Sequence, residues 1–206
     1  MLLYKAVDPD TLELLESLML EPVLAETRLV GGTALALQYG HRKSVDLDLF
    51  GCVEADAEEV KGVLSRKGKL RVVSETTNIK GYFLNEVKID IVNYPYNWIA
   101  QPLIEDNIRL ASPIDIAAMK INAIVGRGSR KDFVDLYFLL QHYSLSQILG
   151  YYKDKYPVNS EFRALMSIEY FIDAEQYPMP EMLTSVDWNT IKRFIHNKVV
   201  EYTREV

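Results

Sequence analysis

The chain has 206 residues, 49% hydrophobic and 25% charged. That is the composition of a globular protein, and at this length it can bury roughly 70% of its unfolded surface without disulfides or a structural metal. A single cysteine, Cys52, excludes a disulfide framework and a cysteine-rich zinc site and fits a reducing cytoplasm. The net charge of −6 argues against general nucleic-acid binding, because phosphate repels an acidic surface that lacks a local basic patch. His41, His142 and His196 lie far apart, without the spacing of a zinc hydrolase. No apolar run reaches the roughly 18 residues of a membrane span, and Met1–Thr11 lacks the basic and apolar regions of a secretory leader. A protein of the cytoplasm, without membrane contact, is expected.

Asp8-Pro9 opens a helix with an apolar face at Leu12, Leu15, Leu18 and Met19. A short strand follows near Arg28–Val30, broken by Gly31-Gly32, and Thr33–Tyr39 reads as a helix stopped by Gly40. Ser44–Phe50 reads as a strand and Ala55–Lys67 as an amphipathic helix. Leu70–Glu75, Ile79–Leu84 and Val87–Val92 read as three more strands on hairpin-length links. Helices are expected after Ser112-Pro113 and after Ser129, then over Leu145–Lys155, Ser160–Phe171 and Trp188–Thr203. The fold class is α+β: a small mixed-sheet domain over 1–107, then a helical domain over 108–206, with the sharpest junction at Gln101–Ala111.

Alternation along Ser44–Phe50 sends Val45, Leu47 and Leu49 to the core and Ser44, Asp46 and Asp48 to the other face. Two carboxylates about 7 Å apart at their Cα atoms repel unless neutralised, and their oxygens can converge on magnesium. Alone, this pattern is an ordinary wet strand face. Gly31-Gly32 ahead of a helix adds a place where phosphate can reach backbone N–H groups. Val87–Ile91 adds Lys88 and Asp90 on one face, so a third acid becomes available as metal ligand or general base. On the helix after Pro113, Lys120 and Arg127 share a flank and suit a triphosphate. Asp132 lies three residues past a Ser129 cap, which gives it a mainly structural role there. Asp135 has no such role and needs a partner, for which Lys120 is the candidate.

Gly31-Gly32-Thr33, Arg42-x-Ser44-x-Asp46-x-Asp48, Lys88-x-Asp90, Lys120 and Arg127-(x)4-Asp132-x-x-Asp135 together resemble the AbiEii/AbiGii-type nucleotidyltransferase toxins of bacteria and archaea. The resemblance runs over residues 29–140 and implies a DNA polymerase β-like nucleotidyltransferase fold. It implies Asp46, Asp48 and Asp90 as catalytic and magnesium-binding, with Lys120 and Asp135 also catalytic. It implies nucleotide contacts from Gly31, Gly32, Thr33, Ser44, Lys88, Lys120 and Arg127. The expected chemistry is attack of an acceptor hydroxyl on the α-phosphate of an NTP. The implied partners are tRNA as acceptor and a cognate antitoxin of a type IV toxin–antitoxin or phage-defence system. Gly32 stands where the wider superfamily often carries serine. Two other readings stay open: transfer to a small cationic acceptor such as an aminoglycoside, and a nucleotide-binding module without catalysis.

Overall fold

The computed structural model describes residues 1–205. Its Cα positions divide into two compact units, Met1–Pro95 with Pro102–Ala111, and Tyr96–Gln101 with residues 112 onward. The first unit is built on a sheet of seven strands among the described residues, in the order β3-β4-β5-β2-β1-β7-β6. These are β1 Thr27–Leu29, β2 Leu47–Gly51, β3 Leu70–Glu75, β4 Ile79–Leu84, β5 Val87–Asn93, β6 Leu103–Glu105 and β7 Ile108–Leu110. β2 runs parallel to β5 and β1 parallel to β7; the remaining pairs are antiparallel.

Local chemistry explains the connections. Helix α1 (Pro9–Met19) has proline at its first position and buries Leu14, Leu15 and Leu18. Helix α2 (Gly31–Tyr39) ends at Gly40, whose φ of 62° gives the left-handed cap and whose N–H reaches the Ala36 carbonyl at 2.7 Å. Asn85-Glu86 and Asp106-Asn107 all have positive φ, as two-residue hairpin turns matched to strand twist require. α3 (Ala57–Ser65) is capped by Asp56, which accepts from the Glu59 N–H.

Two expectations change. The stretch read as a junction, Gln101–Ala111, contains the β6–β7 hairpin, and β7 pairs with β1 inside the first unit. Strands of three residues are too short to display alternation; the signal for them was the turn pair Asp106-Asn107. Val45 is not in the core: it is 53% exposed, because β2 begins only at Leu47 and the residues before it lie outside the ladder. Leu47, Leu49, Ile89 and Ile91 are buried as alternation requires.

The second unit is helical: α4 (Pro113–Gly126), α5 (Arg130–Leu139), α6 (Leu145–Lys155), α7 (Glu161–Ile168) and α8 (Trp188–Glu205). α4 packs against α5, α6 and α7. Its start is fixed by Asp115, whose carboxylate accepts from the N–H groups of Ile99 and Ala100, the Ser112 hydroxyl and the Lys155 ammonium at 2.7–3.1 Å. Neither Asp115 nor Lys155 exposes its side chain. Burial alone raises the Asp115 pKa, but these hydrogen bonds and the Lys155 charge outweigh it and hold the carboxyl below its ordinary value.

Removing one partner of such a pair strands the other. Asp115→Ala is expected to destabilise by about 3–5 kcal/mol in urea denaturation. Because the folded pKa is lowered, the stabilisation is complete above about pH 4 and is lost as the pH falls through the folded value. Asp115→Asn should therefore flatten the acid limb of stability against pH; an unchanged limb would show that another carboxylate sets it.

Candidate functional site

The parallel register of β2 and β5 places Asp48 directly beside Asp90. Adjacent strands are about 4.8 Å apart, so two carboxylates lie side by side on the face away from the buried leucines and isoleucines. Asp46 enters the same region from the segment just before β2. Lys88, two residues before Asp90 on that face, turns its ammonium onto Asp90 at 2.5 Å. Burial lowers the Lys88 pKa, but the hydrogen bond to Asp90 and the charges of Asp90, Asp48 and Asp46 outweigh that and raise it. One cation thus feels all three acids.

Glycines keep this face open. Gly31 has φ of +68°, and a Cβ there would collide with Asp48 Oδ2. A Cβ on Gly32 would collide with the guanidinium of Arg42, which is buried and donates to the Lys43 carbonyl at 2.9 Å. A Cβ on Gly81 of β4 would come within 3.1 Å of Asp90 Oδ1. The N-cap of α2, Val30, makes no side-chain capping bond, and Asp48 stands against Gly31 and Arg42 against Gly32 at the helix start. That is an anion-accepting corner next to an acidic one. The Arg42 position against Gly32 is visible only in three dimensions.

The donors on the acidic side are hard carboxylate oxygens, which suit a hard divalent cation. Among the described residues, no three carboxylate, imidazole or thiol groups close around a common point. Asp48 and Asp90 share a face as alternation requires, and Lys88 draws Asp90 to itself. A hard divalent cation on such an open set would complete its shell with water and phosphate oxygens.

Thr33 departs from its expected phosphate contact. It is 1% exposed, and its hydroxyl meets the Asp46 carbonyl and, at 2.9 Å, the Ser44 hydroxyl. It ties the start of α2 to the strand entry and so positions Asp46 instead of facing a ligand.

The second unit holds a separate, buried ion cluster. Lys120 places its ammonium 2.6 Å from Asp135 and 3.1 Å from Asp132. Arg127 meets Asp132 through two nitrogens at 2.9 and 3.1 Å, and the Ser129 hydroxyl donates to Asp132 at 2.6 Å. Both carboxylates have no exposure, and the Lys120 side chain has 5%. The pairing of Lys120 with Asp135 is as expected. Asp132 does more than cap a helix: Ser129 accepts no capping bond from α5, and Asp132 instead joins two cations. Burial raises its pKa, but Lys120, Arg127 and Ser129 together drive it far below the usual carboxylate range.

Comparison with known proteins bears on the family and the fold. Residues 13–195 match the family described as "Nucleotidyl transferase AbiEii toxin, Type IV TA system". An uncharacterized protein of Aquifex aeolicus (strain VF5) is 31% identical over 199 residues, covering 92% of this chain and 94% of its own length. The fold is similar to that of MenT4, a nucleotidyltransferase toxin of Mycobacterium tuberculosis H37Rv, with TM-score 0.55 and 14% identity over 94% of this chain and 82% of that one. It is also similar to the crystal structure of JHP933 from Helicobacter pylori, with TM-score 0.51 and 19% identity over 97% of both chains. A family match that extends from α1 into α8 leaves one assignment: the chain belongs to the AbiEii family of nucleotidyltransferase toxins and is a nucleotidyltransferase.

Proposed function

We propose that the chain transfers a nucleotide from an NTP to an acceptor hydroxyl in a magnesium-dependent reaction, with tRNA as the acceptor and an antitoxin as its cellular partner in a type IV system. The observation that carries the reading is the registered pair Asp48–Asp90, with Asp46 and Lys88 on one side and the open start of α2 on the other. Asp46 and Asp48 would hold magnesium, with Asp90 beside them. When bound, the ion neutralises charge on the attacking and leaving oxygens. The N–H groups of Gly31 and Gly32, with Ser44 near them, hold the phosphates, and Arg42 adds a fixed positive charge. The acceptor oxygen bonds to the α-phosphorus as the bond to the bridging oxygen breaks and pyrophosphate leaves. Asp90 receives the hydroxyl proton, and Lys88 steadies the negative charge around it. In the second unit, Asp135 holds the Lys120 ammonium and Asp132 holds the Arg127 guanidinium.

The decisive experiment incubates the protein with each labelled NTP, magnesium and total tRNA, and follows label by gel. Labelled tRNA is the expected result; label on a small molecule alone would remove the tRNA reading. Asp46→Ala and Asp48→Ala are each expected to cut transfer by about 10²–10³-fold or more, as loss of a charge-stabilising group does. Folding should stay within about 1 kcal/mol of the parent, because removing one acid relieves repulsion and opens no cavity. Undiminished transfer by either variant would refute the assignment.

Lys120 and Asp135 should behave as one unit. Lys120→Ala with Asp135→Asn is expected to be little worse in activity than either alone. Asp132→Ala leaves Arg127 and Lys120 without their shared carboxylate and is expected to cost about 3–5 kcal/mol of stability, well beyond a capping effect. Additive losses in the first pair would separate Lys120 from Asp135.

A further inference from the structure

The strand register extends the carboxylate face outward in a second direction. Phe83 of β4 is the partner of Lys88, and Arg71 of β3 is the partner of Phe83. One row of the sheet therefore reads Arg71–Phe83–Lys88, and the next reads Ser74–Gly81–Asp90–Asp48. Ser74 reaches that row only because the ladder shifts between Val72 and Ser74, leaving Val73 as an extra residue. Without the bulge, residue 74 would face the opposite side from Arg71. The Ser74 hydroxyl would lie 2.7 Å from a Cβ on Gly81, and Asp90 Oδ1 3.1 Å from it, so the glycine leaves a floor between them. The Arg71 guanidinium stands over the Phe83 ring, 4.3 Å from its centre. Arg71 is exposed and meets no carboxylate within ion-pair distance among the described residues.

We infer that Arg71, Phe83 and Ser74 form the seat for the single-stranded end of the acceptor RNA. The inference rests on the nucleotidyltransferase reading above. An in-line displacement needs attacking and leaving oxygens on opposite sides of the α-phosphorus. The start of α2 follows β1 and serves the phosphates from the β1–β2 side; β5, β4 and β3 lie on the other side of the carboxylates. The acceptor therefore enters across β4 and β3. A planar guanidinium stacked on an aromatic ring offers a surface for an unpaired base, and Arg71 and the Ser74 hydroxyl can both bond phosphate or ribose oxygens. A cationic small molecule would instead meet Arg71 and Lys88 as like charges. This locally basic, aromatic strip is what an acidic protein needs to hold RNA in one place.

The test measures binding apart from catalysis, using the full chain. A fluorescein-labelled RNA single strand ending in a free hydroxyl is titrated by anisotropy, and a fluorescent ATP analogue with magnesium is titrated separately. Arg71→Ala and Phe83→Leu are each expected to weaken RNA binding about tenfold, within the range for loss of a stacking contact. Arg71→Ala should also reduce the salt slope of log K by about 0.7, the value for one phosphate contact on a single strand. The affinity for the ATP analogue should not move, which also reports that the variants are folded. Equal RNA binding by parent and both variants, equal affinity for double-stranded RNA, or transfer confined to a cationic small acceptor would each overturn the inference. Selective loss of RNA binding in the variants of a parent that transfers no nucleotide would refute the transferase mechanism and leave the RNA seat supported.

Discussion

The parallel pairing of β2 with β5 sets two like charges, Asp48 and Asp90, next to each other at the centre of the sheet. Like charges opposite one another destabilise a sheet, and nothing in strand propensity asks for them. The opposite face fixes the register. Leu47 and Leu49 are buried with Ile89 and Ile91, and a slip of either strand by one residue would turn its own pair outward. Apolar burial thus holds a repulsive pair in place, and the pair in turn attracts cations. Lys88 is one such cation, its ammonium drawn to Asp90 and favoured by all three acids.

The rest of the first unit serves this pair. Gly31 and Gly81 keep β-carbons away from the two carboxylates, one on each side. Thr33 fixes the segment that carries Asp46, and Arg42 stands against Gly32. Anion-accepting N–H groups at the start of α2 thus adjoin cation-accepting oxygens. Phosphate chemistry requires such a polarity, because a phosphate ester brings negative oxygens that must meet both donors and a cation.

The second unit handles charge differently. Asp115–Lys155 and Lys120 with Asp132 and Asp135 are buried, and each carboxylate is satisfied by several donors. Pairs of this kind add little net stability relative to apolar packing, but losing one member is costly. They fix side chains in single positions. Two acids, Asp132 and Asp135, thereby determine where Lys120 and Arg127 stand.

Much of this was legible in the residues. Period-two alternation in Leu47–Phe50 and Val87–Ile91 showed that Asp48 and Asp90 face away from the core, and of the two serine caps read, Ser112 caps its helix while Ser129 makes no side-chain capping bond. The pairing of Lys120 with Asp135 followed from a buried acid's need for a partner. The β6–β7 hairpin was missed because three-residue strands carry no period. The exposed Val45 was misread because alternation says nothing about where a ladder starts.

The sequence by itself determined the element types, the carboxylates of each strand face and the family. Those properties depend on neighbours within a few positions, or on the order of motifs along the chain. Only the tertiary structure decided that Asp48 lies beside Asp90, that Arg42 approaches Gly32, that Thr33 turns inward, and that the extra residue Val73 brings Ser74 onto the face of Arg71 and Phe83. Each of these is a matter of register or close approach between distant segments. The burial energy of the whole sheet sets them, so no local pattern records them.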